Sequence, residues 1–147
     1  YVEIRFMAHL KNSGVMAKNG LLPAVEKLSF NASGINGLTF DVQSFGLEKR
    51  LENSLEITVF RIIQELVTNI IKHAHATAGI VYLTNYEDNL NIMIEDNGIG
   101  FNPKQITKTN AGMGISSIDK RVEHLDGQFN IESEINKGTT VIIDIPL

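Results

Sequence analysis

The sequence predicts a two-layer α/β sandwich, with a mixed, mostly antiparallel sheet covered on one face by three helices. Three observations lead there. The stretch Asn53 to His73 holds no Gly or Pro, and Leu55, Val59, Ile62, Ile63, Leu66 and Ile70 recur in it at the spacing of a core-facing helical stripe. Alternating, strand-like segments arrive in pairs joined by short turns, as hairpins do. The length of 147 residues, 43% of them hydrophobic, suits one domain with a real core.

In chain order, residues 1–20 differ in texture from the rest of the chain and read as a leader, so the domain runs over 21–147. Leu21, Leu22, Val25 and Leu28 mark a first helix, with Pro23 tolerated in its opening turn and Gly34 beyond its end. Leu38, Phe40 and Val42 alternate with Thr39, Asp41 and Gln43, which predicts a strand with one buried face. The long helix of Asn53 to His73 comes next. Gly79 to Tyr86 and Leu90 to Asp96 form a hairpin across the turn-prone Glu87, Asp88 and Asn89. After the glycine-punctuated stretch Asn97 to Gly114, Ile115, Ile118, Val122 and Leu125 predict a third helix closed by Gly127. The segments FNIESE and TTVIIDIP close the domain as a second hairpin.

Composition removes several function classes. Thirteen Lys and Arg against seventeen Asp and Glu give a net charge of −4, so no broad electropositive footprint for nucleic acid is expected. There is no Cys, which excludes disulfides, thiolate zinc sites and a cysteine nucleophile and fits cytoplasmic chemistry. No apolar run approaches bilayer length, and the opening YVEIRF is neither a signal peptide nor an initiator Met. The chain therefore reads as a fragment of something longer that makes no membrane contact of its own.

Chemistry concentrates at four places. Glu65, Asn69 and Lys72 stand at i, i+4 and i+7 on the long helix and form a polar row beside the apolar stripe. A carboxylate and a carboxamide there suit Mg²⁺, which keeps several of its own waters; the row is equally what a solvated helix edge looks like. Asp96 shares strand parity with Ile92 and Ile94, so it points toward the buried side and needs donors, either a ligand amino group or its own Asp96-Asn97-Gly98 turn. Gly98 and Gly100 permit positive φ and close backbone approach. Gly112 and Gly114 lead into the third helix, whose free N–H groups suit phosphate. Between the two pairs, Lys104 and Lys108 make a cationic, lid-like loop without an acidic residue. Thr139 shares parity with Val141, Ile143 and Ile145, placing one hydroxyl at the end of an inward apolar row.

Together these residues resemble the ATP-binding domain of bacterial sensor histidine kinases, within the ATPase superfamily of gyrase, Hsp90 and MutL. ELVTNIIKHA (Glu65 to Ala74) is similar to the family's asparagine box, EDNGIGF (Glu95 to Phe101) to its first glycine box, GMG (Gly112, Met113, Gly114) to its second and KGTTV (Lys137 to Val141) to its closing strand. FRIIQELVTNIIKHAHA resembles the short-lid nitrate-sensor and desiccation-type subgroup. The resemblance implies a Bergerat-type ATP-binding fold. It also implies Asn69 and Glu65 at Mg²⁺, with Glu65 polarising water or the transferred group, and Lys72, His73 and the lid lysine Lys108 near the phosphates. Asp96 is implied for the adenine amino group, Gly98, Gly100, Gly112, Met113 and Gly114 around the nucleotide, and Thr139 for the adenine water network.

The implied reaction moves the γ-phosphoryl group of Mg-ATP to a histidine on a helical dimerisation and phosphoacceptor domain of the parent protein, and from there to an aspartate on the receiver domain of a response regulator. His9 is not expected to be the acceptor: FMAHLKNSGVMAKNGL resembles the exit of that domain's second helix, and Leu10 stands where the acceptor box has an acidic residue. Two alternatives belong to other classes. One is a regulatory nucleotide-binding module or anti-sigma-type serine kinase. The other is a mechanical ATPase of the gyrase or Hsp90 kind, disfavoured by the short lid.

Overall fold

The computed structural model describes residues 20–102 and 115–147, which form three α-helices and a five-stranded sheet. Helix α1 (Leu21–Ala32) buries Leu21, Ala24, Val25 and Leu28 and hands over through a short 3₁₀ turn (Ile35–Gly37) to β1 (Thr39–Phe45). Helix α2 (Asn53–Asn69) continues into a π-helical turn (Ile70–Ala74). The hairpin of β2 (Ala78–Asn85) and β3 (Asn89–Asp96) comes after it, then α3 (Ile115–His124) and the hairpin of β4 (Gln128–Glu134) and β5 (Gly138–Pro146).

The strands lie in the order β1-β2-β3-β5-β4, and only β1 and β2 run parallel. Parallel neighbours need a long crossover, which α2 and its π turn supply, so the same connection that joins them also places the long helix against the sheet. This is the predicted mixed, mostly antiparallel two-layer sandwich. Strand alternation builds its inner face: Leu90, Ile92 and Ile94 of β3 stand opposite Ile145, Ile143 and Val141 of β5, all buried. Val59, Ile62, Ile63 and Leu66 of α2 and Ile118 and Val122 of α3 complete the core.

An ion pair between a buried Glu56 and a half-exposed Arg50 locks the end of the molecule where α1 and α2 begin. The Glu56 side chain, 4% exposed, receives Arg50 at 2.8 Å on Oε1, and its Oε2 accepts the Leu21 N–H at 3.2 Å. One carboxylate thus satisfies an orphan donor of α1 and fastens the loop before α2. Removing the guanidinium leaves a buried carboxylate with only the Leu21 N–H, and because Arg50 itself is half exposed, Arg50→Ala is expected to lower unfolding free energy by about 1–2 kcal/mol in urea denaturation. Glu56→Gln, which retains an acceptor for Leu21, should cost less.

Candidate active site

The inner face of the sheet ends in a polar row. Beyond the last apolar pair, Ile94 with Val141, the register sets Gly79 of β2, Asp96 of β3, Thr139 of β5 and Ser133 of β4 side by side across four strands. Asp96 and Thr139 form one end of a cavity whose sheet side includes Ile94, Ile131 and Val141. Leu66, Asn69, Ile70, His73 and Ala74 form the helix wall opposite, and Ile99, Gly100 and Phe101 the lip. Apolar walls with a few convergent polar groups are the usual make-up of a small-molecule site.

Asp96 is partly buried, and that burial pushes its carboxyl above the usual carboxylate range; the N–H groups of Gly98 and, less strongly, Thr139 pull it back. Its Oδ1 accepts the Gly98 N–H at 2.8 Å. The carboxylate thus caps its own turn, one of the two readings of this residue, and also lines the cavity.

The glycines are explained first by the protein's own backbone. A Cβ on Gly98 would lie 2.1 Å from the Ala74 carbonyl oxygen, which accepts the Ile99 N–H at 2.7 Å. Gly100 has φ +61°, and a Cβ there would lie 2.1 Å from the Glu134 carbonyl oxygen. The segment after β3 is thus wedged between the π turn and the β4–β5 turn, whose Asn136 N–H reaches Ile99 O at 2.6 Å. Asn97 adds a clamp: its Oδ1 accepts the N–H groups of Thr77 and Ala78, both at 2.9 Å.

Asn69 and His73 both line the cavity, whereas Lys72 is exposed and absent from its walls. Helical spacing accounts for this: Leu66, Asn69, Ile70 and His73 stand at i, i+3, i+4 and i+7 on the cavity face, whereas Lys72 falls on the side of Glu65. Glu65 stands outside the lining, with its Oε2 3.2 Å from Arg121 of α3. Gly98 sits behind the lip rather than in it. Lys104, Lys108, Gly112, Met113 and Gly114 lie outside the described residues, as does His9.

Ser133, which does not itself line the cavity, holds two residues that do and has no place in the sequence-based expectation of the site. Its Oγ accepts the Phe101 N–H at 2.9 Å and lies 3.1 Å from the Gly138 carbonyl oxygen and 2.8 Å from Thr139 Oγ1. The signal was present, because Ser133 shares parity with Phe129 and Ile131, which pack against the core.

Among the described residues no group of three or more His, Asp or Glu could hold a metal ion. The donors near the helix are one carboxamide, Asn69, and one carboxylate already committed to Arg121. Such a set does not build a free-standing metal site. It does fit Mg²⁺ brought in on a phosphate, an ion that keeps its waters and takes few protein ligands.

Residues 54–147 match the family described as Histidine kinase-, DNA gyrase B-, and HSP90-like ATPase. The signal transduction histidine-protein kinase/phosphatase DegS of Brevibacillus brevis is 34% identical over 128 residues, which cover 87% of this chain and 33% of that protein. DegS of Bacillus subtilis (strain 168) is 33% identical over 132 residues, 87% of this chain and 34% of that protein. The chain spans about a third of the length of these relatives. Among solved structures, the histidine kinase domain of the Erythrobacter litoralis EL346 blue-light activated histidine kinase superposes with a TM-score of 0.67 at 22% identity, covering 99% of this chain and 73% of that one, a likeness of fold.

Proposed function

Because the chain belongs to the histidine kinase-, DNA gyrase B- and HSP90-like ATPase family, we propose that its cavity binds Mg-ATP for transfer of the γ-phosphoryl group to a histidine elsewhere in the parent protein. The observation that carries this reading is the meeting of Asp96 and Thr139 on the sheet with Asn69 and His73 on the helix around one cavity. An apolar slot ending in a carboxylate suits a flat base with an exocyclic amino group, since the amino protons meet a charged acceptor. Adenine has that group and guanine has a carbonyl at the same position.

Phosphoryl transfer asks a protein mainly for positioning and charge neutralisation. Asn69 would hold Mg²⁺ on the phosphates, where the ion neutralises charge, with Glu65 beside it to polarise the accepting group. His73 and Lys72, with Lys108 and the Gly112, Met113 and Gly114 segment, are assigned to the phosphate end, and Gly98 and Gly100 to shaping the nucleotide's surroundings. The acceptor histidine belongs to a helical dimerisation and phosphoacceptor domain, of which residues 1–20 are the C-terminal end in this reading, and the phosphoryl group passes on to an aspartate of a response regulator. The relatives are sensor histidine kinases, so a purely regulatory module is not favoured.

Labelled ATP supplied with the chain and a separate helical acceptor domain should label a histidine of that domain. Binding of ATP without labelling would overturn the kinase reading and leave a nucleotide sensor. Asn69→Ala is expected to retain most metal-free ADP affinity while losing the added affinity that Mg²⁺ confers, measured by calorimetry with and without the ion.

A further inference from the structure

We propose that Ser133 is a positioning residue that sets the hydrogen-bonding polarity of Thr139 and thereby helps choose the base; this rests on the adenine reading above. The two hydroxyls are 2.8 Å apart, and each carries one proton. Ser133 Oγ already accepts the Phe101 N–H, and the Gly138 carbonyl oxygen 3.1 Å away can only accept. One arrangement satisfies all four groups. Ser133 gives its proton to the Gly138 carbonyl, and Thr139 gives its own to Ser133.

Thr139 then turns lone pairs, and no proton, toward the cavity. Beside it in register stands Asp96, also an acceptor. The polar end of the cavity is therefore acceptor-only, and it selects a base edge or a bridging water that brings protons. The same Ser133 oxygen holds the chain at Phe101, on the lip, so the polarity of the floor and the position of the lip depend on one side chain.

Taking Ser133 away releases the Thr139 proton. Thr139 can then donate to a base that presents a carbonyl where adenine has its amino group, as hypoxanthine does. Calorimetric titration with ADP and IDP of the wild type, Ser133→Ala and Ser133→Thr tests this. Ser133→Ala is expected to weaken ADP by roughly fivefold, the equilibrium weight of one net hydrogen bond, and to weaken IDP less or not at all, so the ADP preference narrows. Ser133→Thr, which keeps the hydroxyl, should restore the preference. An equal loss for both nucleotides, or no change in either, would show a merely structural serine and overturn the inference while leaving the adenine site standing. A wild type that does not prefer ADP to IDP overturns the adenine reading and this inference with it.

Discussion

Asp96→Asn is expected to lower ADP affinity by about 2 kcal/mol, roughly 30-fold, the worth of a hydrogen bond to a charged group. The substitution is nearly isosteric. An Asn Oδ1 can still accept the Gly98 N–H that Asp96 accepts at 2.8 Å, so the turn survives. What changes is the other corner of the group, where an amide would oppose the amino protons of adenine with protons of its own. A carboxamide carries no charge to desolvate, so the unliganded variant should melt at or above the wild-type temperature. Lower affinity without lower stability separates a binding residue from a structural one.

The pH dependence has its origin in the same burial. Because the Asp96 carboxyl is raised above the usual range by desolvation, the folded protein binds this proton more tightly than the unfolded chain. Its contribution to stability is therefore fully present below the unfolded value and is lost as pH rises through the folded one. Ligand affinity runs the other way, since the ionised carboxylate is the acceptor. ADP binding should weaken on acidification at a pH higher than an ordinary carboxylate would dictate, and Asp96→Asn should abolish that dependence.

Gly98→Ala has the second large effect, about 2–3 kcal/mol of stability, the cost of forcing atoms into a filled space. Its new Cβ would meet the Ala74 carbonyl oxygen at 2.1 Å. To make room, the chain must give up the Ile99 N–H bond to that carbonyl or shift the π turn, and the π turn carries His73 and Ala74 on the cavity wall. Nucleotide affinity should therefore fall together with the melting temperature. Asp96→Asn and Gly98→Ala thus predict opposite relations between stability and binding, which thermal melts with and without ADP will read.

Periodicity carries most of this architecture in plain view. The stripe of α2 and the alternation in β3 and β5 arise from side chains that must reach one core, and the same parity brings Asp96 and Thr139 to the inner face. What was not legible depended on contacts between distant segments. The π turn has no local spacing to announce it: it begins at Ile70 inside a run that reads as unbroken α-helix. Gly98 and Gly100 look like ligand glycines in sequence because the chain that crowds them, at Ala74 and Glu134, is 24 and 34 residues away. Glu56 looks like a solvated first-turn acid until Arg50 and Leu21 are seen on it. Ser133 reads as an edge-strand serine until the register sets it beside Thr139.

Calorimetric titration of the chain with ADP and with GDP, side by side at neutral pH, bears most directly on whether Asp96 reads the base. The geometry predicts saturable ADP binding, with GDP weaker by roughly tenfold or more because a carbonyl would face the carboxylate in place of an amino group. Equal affinities for the two nucleotides, or an ADP affinity unchanged in Asp96→Asn, would contradict it.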